Sequence, residues 1–322
     1  MKRLSIVLFF VLVAGVAWGW FRLNQPAAPL ERTEPLRIQQ GVIIGGIDHD
    51  NPNIQVYNGL PYATALRWAA PDIPPQWGAI PRDARAFGAE CLQGRDSIAG
   101  FVDDILKGNG LPWWKRFVAS KYLAAQPAPQ ESESCLFLNV RTGNMDGAAP
   151  VPVMVWIHGG AHKAGSGSST FYQANGLVEK GVVLVTINYR LGALGYLAHP
   201  ALTEVDGTSG NYGLMDQMAA LGWVRRNIAS FGGDPENITV FGESAGAQSI
   251  SEMMASPLSA GLFDKVILES GSSSGNAIHL SKSPLASVRS AEDVGTEFLS
   301  TLAPPAATAA DLRAIPAAAI IS

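Results

Sequence analysis

The residues best suited to chemistry form a Gly-x-Ser-x-Gly pattern centred on Ser244. The β-branched and aromatic run Ile238–Phe241 precedes Gly242-Glu243-Ser244-Ala245-Gly246, and the helix-compatible stretch Ala247–Ala255 follows it. Strand, tight turn and helix in this order are typical of a nucleophile elbow, whose turn exposes one serine hydroxyl. The glycines keep neighbouring Cβ atoms away from a strained backbone. We therefore predict Ser244 as the nucleophile of an acyl-transfer reaction.

A chance match is the alternative, since the chain contains 34 glycines. Gly271-Ser272-Ser273-Ser274-Gly275 fits the same pattern, but the polar stretch Asn276–Ser283 follows it. An elbow requires a helix at that place, so the context favours Ser244.

A second glycine pair occurs in Ile157-His158-Gly159-Gly160-Ala161, directly after a predicted strand. Acyl transfer by a serine requires N–H donors for the oxyanion of the transition state. A His-Gly-Gly loop after a strand supplies them in enzymes with a nucleophile elbow. We assign this role to the N–H groups of Gly159, Gly160 and Ala245. An ordinary glycine-rich turn is the alternative.

His158 and His162 lie close to this loop, but neither is assigned as the catalytic base. Both precede Ser244, whereas this fold has the order nucleophile, acid, histidine along the chain.

Apolar strands separated by helix-length segments predict an α/β domain with a mostly parallel sheet and helices on both faces. A helix is predicted over Asp216–Asn227, and a short hairpin over Gly41–Ile47 and Ile54–Tyr57. Residues 97–130 are expected to form an exposed insertion with a helix near Lys115–Ala125. The predicted strands are Cys135–Val140, Val151–Ile157, Val182–Asn188, Ile238–Phe241 and Val266–Glu269.

The composition indicates a folded domain, with 47 % hydrophobic and 16 % charged residues among 322. The net charge of −4 and the lack of a basic run give nucleic-acid binding no support.

The N-terminus is expected to be a secretory signal or a membrane anchor. Lys2 and Arg3 precede the apolar run Leu4–Phe21, and Ala17-Trp18-Gly19 fits a cleavage site. The run is also long enough to be marginal for spanning a bilayer, and tryptophans lie near its end. Both alternatives imply export, to a secreted or periplasmic location or to the membrane. Residues 1–22 would be the signal or anchor, 23–40 a linker, and 41–322 the domain.

Cys91 and Cys135 are the only cysteines. An exported chain with an even pair favours one disulfide, worth about 4 kcal/mol of stability, over two buried thiols. Their spacing fits no metal site, and the sequence implies no cofactor.

Several motifs together resemble the type-B carboxylesterase/lipase family, which includes the cholinesterases. Glu133-Ser134-Cys135-Leu136-Phe137-Leu138-Asn139-Val140 resembles the family's signature, with serine in place of the usual aspartate. The further matches are Gly59–Ala63, His158–Ala161, Asn188–Gly192, Gly210–Gln217, and Phe231–Pro235 leading into Gly242–Gly246.

The resemblance covers about residues 41–322. It implies an α/β-hydrolase fold and the hydrolysis of small-molecule carboxylic esters. It further implies a Cys91–Cys135 disulfide. Glu243 would be a buried carboxylate that supports the nucleophile.

The family's triad acid and histidine lie far C-terminal to the serine, so we expect both beyond residue 322 and the C-terminal strands of the sheet with them. The order Ser244, Glu269, His279 is formally available, but His279 lies in a polar loop and is expected to be a surface residue. Asp264 should lie at the wrong edge of the sheet.

Two functions follow from these expectations. The first is a serine esterase whose nucleophile half is present here. The second is a non-catalytic cholinesterase-like binding or adhesion module, although an intact elbow with its Gly-Gly loop argues against it. The substrate ester and the oligomeric state are not readable from the sequence.

Overall fold

The computed structural model describes residues 29–94, 107–108, 110–117, 130–146, 149–273, 278–283 and 287–321. Residues 32–322 form one compact unit. The predicted signal or anchor, residues 1–22, lies outside the described residues. No helix within these ranges is long and apolar enough to cross a bilayer.

The strands of the domain are β1 Leu36–Ile38, β2 Gly41–Ile44, β3 Gly46–Ile47, β4 Gln55–Pro61, β5 Gly78–Asp83, β6 Glu90–Cys91, β7 Glu131–Ser132, β8 Phe137–Thr142, β9 Val151–Ile157, β10 Val183–Ile187, β11 Gly233–Glu243 and β12 Lys265–Glu269. The domain is built on a mixed sheet whose strands run in the order β12-β11-β9-β10-β8-β4-β3. Neighbours from β12 to β10 are parallel, and those from β10 to β3 are antiparallel. A smaller sheet has the order β1-β2-β5.

Helices lie between and after the strands. The α-helices are α1 Gly192–Tyr196, α2 Pro200–Asp206, α3 Tyr212–Asn227, α4 Ala245–Ala255, α5 Ala291–Leu299, α6 Ala309–Arg313 and α7 Ala317–Ile320. Single 3-10 turns cover Thr170–Tyr172, Val178–Lys180, Ile228–Phe231 and Pro257–Ser259. A further helical turn covers residues 113–117.

The predicted α/β architecture is confirmed, and all five predicted core strands are present, with boundaries that differ by a few residues. The sheet is mixed and not mostly parallel, since three of its six strand pairs are antiparallel. The predicted hairpin forms between β3 and β4, whereas β2 pairs with β1 and β5. Helix α3 begins four residues earlier than its predicted start at Asp216, since Tyr212 is buried against the C-terminal helices.

The first strand corrects the predicted domain boundary. Leu36–Ile38 was expected within a linker, but it pairs antiparallel with β2. Ile38 is buried in the main core and Leu36 packs against it. This packing stabilises the strand despite the prolines nearby.

The core lies between the sheet and α3. Val153, Val155 and Ile157 alternate along β9 and are fully buried. Trp223 from α3 is fully buried, and its ring centroid lies 6.1 Å from that of Phe231. Strand β12 is the outer strand of the sheet, and its side chains are largely exposed.

A disulfide joins Cys91 and Cys135, as expected, with Cα atoms 4.9 Å apart. Strands β6 and β7 pair in parallel directly beside it. The disulfide and this short ladder together close the base of the excursion between the two cysteines.

Candidate active site

Three strand ends meet at one edge of the sheet. In the register of the parallel strands, Gly242 of β11 pairs with Ile157 of β9, and Glu243 pairs with Glu269 of β12. The loops that follow these strands begin with His158, Ser244 and Ser270. Because carboxyl ends of parallel strands share an edge, the predicted nucleophile and the predicted oxyanion loop are brought together.

Ser244 occupies a strained turn between β11 and α4. Its φ of 53° and ψ of −117° lie in a region that only glycine adopts easily. Its N–H donates to the Glu269 carbonyl at 2.8 Å, and its carbonyl accepts from Gln248 N–H at 2.9 Å. Backbone bonds on both sides therefore hold the residue in this conformation.

The two glycines of the motif are required by the end of β9. A Cβ on Gly246 would lie 2.1 Å from the Ile157 carbonyl oxygen, and one on Gly242 would lie 2.7 Å from it. Both positions exclude any side chain, since real Cβ atoms do not approach oxygen so closely. The spacing of the motif thus follows from close packing of the elbow against β9.

Gly271 is a further glycine of the site that the sequence did not single out for this role. A Cβ at this position would lie 2.2 Å from the Ser244 carbonyl oxygen. The available signal was a glycine two residues after a predicted strand.

Within the second Gly-x-Ser-x-Gly match, Ser273 is exposed and bonds Ser251 Oγ at 3.0 Å. Residues 274–277 lie outside the described part of the chain.

The oxyanion loop lies directly against the nucleophile. A Cβ on Gly159 would lie 3.2 Å from Ser244 Cβ and 2.7 Å from Glu243 Oε2. Gly160 has φ 104° and accepts through its carbonyl from Lys163 and Ala164 N–H, at 3.0 and 3.1 Å. The loop is therefore a tight turn whose first glycine allows the approach.

In the part of the chain that the structure describes, the predicted donors have no competing acceptor. Among the described residues, none accepts a hydrogen bond from the N–H of Gly159, Gly160 or Ala245. Ala245 is the first residue of α4, where the helix itself leaves N–H groups unpaired and concentrates partial positive charge. Such groups suit an anionic oxygen.

Glu243 corrects one expectation. The resemblance implied a buried carboxylate, but Glu243 is exposed, and its carboxylate lies beside Gly159. It ends β11 at the open edge of the sheet, next to the exposed strand β12, and no described element covers it there.

The ring of His158 is buried and bonded within the oxyanion loop. The ring stacks on Tyr189 with centroids 4.4 Å apart, and its Nδ1 donates to the Gly159 carbonyl at 2.8 Å. Tyr189 in turn donates to the His158 carbonyl at 2.8 Å. Burial lowers the pKa of His158 to about 4, so the ring is neutral near pH 7.

His162 joins the oxyanion loop to helix α4, a contact that the sequence did not reveal. Its Nε2 lies 2.9 Å from Ser249 Oγ, which also accepts from Gln217 Nε2 at 3.2 Å. Burial lowers the pKa of His162, and the Glu252 carboxylate and the Ala245 carbonyl oppose the shift.

The other candidate acids and bases lie as expected. Asp264 accepts from Ile238 N–H at 2.8 Å and from Arg225 at 2.9 Å, at the edge of the sheet opposite Ser244. Glu269 ends β12 at the same edge as Ser244. His279 is exposed. Within the described ranges, no side chain is hydrogen-bonded to Ser244, and no His, Cys, Asp or Glu cluster could hold a metal ion.

A buried ion pair joins the loop after β10 to helix α3. Arg190 follows β10, and its Nε and Nη2 each lie 2.7 Å from one oxygen of Asp216 in α3. The Asp216 side chain is fully buried. Both residues belong to motifs that carried the family resemblance, and their pairing gives these motifs a structural meaning.

Known proteins share this sequence and arrangement. The model of the carboxylesterase family matches residues 32–322. Fumonisin B1 esterase of Sphingopyxis macrogoltabida is 37 % identical over 264 residues, which are 80 % of this chain and 44 % of that protein. Para-nitrobenzyl esterase of Bacillus subtilis is 41 % identical over 225 residues, 68 % of this chain and 40 % of that protein.

Solved structures agree with the sequence relatives. A thermophilic para-nitrobenzyl esterase superposes with a TM-score of 0.71 at 33 % identity, over 89 % of this chain and 52 % of that one. A Geobacillus stearothermophilus carboxylesterase gives 0.70 at 32 %, over 90 % and 53 %. The chain thus spans less than half the length of the curated relatives named here. By its sequence, its fold and the geometry of its elbow, the chain belongs to the carboxylesterase family.

Proposed function

We propose that this chain provides the nucleophile and the oxyanion donors for hydrolysis of small carboxylic esters. The observation that carries the proposal is the contact of Gly159 with Ser244 across the ends of two parallel strands. It leaves a strained serine beside backbone N–H groups that have no acceptor among the described residues. The two relatives named above are esterases for a fumonisin and for a para-nitrobenzyl ester, which supports an ester as the substrate class.

In the proposed reaction, Ser244 Oγ attacks the carbonyl carbon of the ester. The carbonyl oxygen becomes negative and accepts hydrogen bonds from the N–H groups of Gly159, Gly160 and Ala245. Collapse of this intermediate breaks the bond to the alcohol and leaves an acyl group on Ser244. Attack by water then releases the acid and restores the serine.

The reaction needs a base to accept the Ser244 proton and return it to the leaving alcohol. His158 cannot fill this role, because its ring is buried, stacked on Tyr189 and bonded to the loop. The expectation that the acid and the histidine lie beyond residue 322 stays a prediction. Without them, the rate should be several orders of magnitude below that of a complete triad.

Hydrolysis of p-nitrophenyl butyrate by the 322-residue chain and by Ser244→Ala tests the proposal. We expect a slow rate above the buffer blank that disappears in the variant, with circular dichroism confirming that both are folded. Equal rates for the two proteins would contradict the proposal and favour the binding-module alternative.

A further inference from the structure

The excursion between Cys91 and Cys135 presents three large aromatic side chains within five residues. Trp113, Trp114 and Phe117 are 74 %, 52 % and 56 % exposed. The other described tryptophans are buried or partly buried, at positions 68, 77, 156 and 223. We call residues 113–117 the aromatic turn. Its exposure is unusual, since soluble surfaces rarely leave several large aromatic rings together in water.

We propose that the aromatic turn binds the interfacial region of a phospholipid bilayer that contains anionic headgroups. Tryptophan favours this region because its ring is apolar while its indole N–H still reaches water. Three neighbouring aromatic rings therefore fit a bilayer surface better than a small ligand, which would need a concave site.

Charge complementarity supports a lipid surface as the partner. Residues 107–117 carry the exposed Lys107 and Lys115, the partly buried Arg116 and no acidic residue. The Lys115 Nζ lies 5.4 Å from the centroid of the Trp114 ring, so a cation and an aromatic ring are presented together. Basic residues beside interfacial aromatics attract anionic headgroups.

The base of the excursion is held firmly to the domain. The disulfide and the β6–β7 ladder close it, with Glu90 paired to Glu131 and Cys91 to Ser132. A membrane anchor is one of the two alternatives predicted for residues 4–21, and with that anchor the chain would already be near a bilayer. The aromatic turn would then give the domain a second membrane contact.

Quenching of tryptophan fluorescence by brominated phospholipid tests the proposal. The full chain is reconstituted into vesicles of phosphatidylcholine and phosphatidylglycerol, beside Trp113→Phe/Trp114→Phe, which keeps the apolar character. We expect the quenched emission to fall by about half, because Trp18 and Trp20 would be the remaining interfacial tryptophans. Trp77→Phe, which replaces a partly buried indole, is the matched control and should leave the quenched emission unchanged.

A second variant tests the charge. Lys107→Glu/Lys115→Glu should lower the quenching in anionic vesicles and leave it unchanged in pure phosphatidylcholine. Unchanged quenching in the tryptophan variant would overturn the proposal. The proposal would also be overturned if sedimentation showed that the tryptophan variant no longer self-associates while its quenching is unchanged. That result would assign the aromatic turn to contacts between copies of the chain.

Discussion

The Cα of Gly159 lies so close to Ser244 that a Cβ built on the glycine would come within 3.2 Å of the serine Cβ. The same Cβ would lie 2.7 Å from Glu243 Oε2 and 2.8 Å from the Glu243 carbonyl oxygen. The φ of Gly159 is not positive, so the position requires glycine for space and not for its backbone conformation. The oxyanion loop and the elbow therefore pack closely because Gly159 has no side chain.

Gly159→Ala should separate the loop from the nucleophile. We expect phosphonylation of Ser244 to slow by about 100-fold, the order of magnitude for losing one oxyanion donor. The rate of labelling by a fluorophosphonate measures this effect. Gly176→Ala is the matched control, because Gly176 has open space around its Cα and no positive φ. Equal rates for both variants would contradict the packing argument.

The strain at Ser244 predicts a difference between two inactive variants. Ser244→Ala keeps a Cβ at φ 53° and ψ −117°, whereas Ser244→Gly relieves it. We expect the glycine variant to have the larger free energy of unfolding, by about 1 kcal/mol, despite the greater entropy of its unfolded chain. Urea unfolding of both proteins measures the difference. A more stable alanine variant would show that the backbone is not strained.

The ion pair of Arg190 with Asp216 should be needed for folding. Burial raises the pKa of the Asp216 carboxyl, and the Arg190 guanidinium opposes this shift. Asp216→Asn would leave a buried guanidinium without its counter-charge, and we expect a loss of about 3 kcal/mol in unfolding free energy.

Asp206→Asn is the comparison for that variant, since the Asp206–Arg313 pair at 2.8 Å is partly exposed. We expect its loss to stay below about 1 kcal/mol. Similar losses for the two variants in urea unfolding would refute the role assigned to the buried pair.

The lowered pKa of the buried His158 ring leads to a prediction of how stability depends on pH. Its pKa is about 4 in the folded chain, against the ordinary histidine value of 6.5, so the unfolded chain binds more protons between these values. The contribution of the neutral His158 ring to the free energy of unfolding is fully present above pH 6.5 and is lost as the pH falls towards 4. At pH 5 the loss is about 2 kcal/mol relative to about pH 7.5.

Unfolding free energies of the wild type and His158→Gln at the two pH values measure this contribution. The pH dependence of the variant should be smaller by about the same amount. An equal pH dependence in the two proteins would show that His158 is not buried as a neutral ring.

Much of the site was predictable because its constraints act on residue type. Gly242, Gly246 and Gly159 face atoms that exclude a Cβ, and such positions appear in the sequence as glycine. Strand β10 was readable for a similar reason, since burial on both faces of a sheet selects branched apolar residues. Strand β9 was readable because its alternating buried positions are valine and isoleucine.

The features that were missed depend on tertiary contacts. The bond of His162 to Ser249 joins residues 87 positions apart, and neither residue type indicates it. The exposure of Glu243 depends on which elements cover the end of β11. Strand β1 is only three residues long, so its pairing with β2 and not its own pattern determines its structure.

The most direct test of the account is to identify the residue modified by a fluorophosphonate. The full chain is treated with the reagent, digested and analysed by mass spectrometry, beside Ser244→Ala. We predict one phosphonyl adduct, on the peptide that contains Ser244, and none in the variant. Labelling of another residue, or equal labelling of the two proteins, would contradict the assignment of Ser244 as the nucleophile.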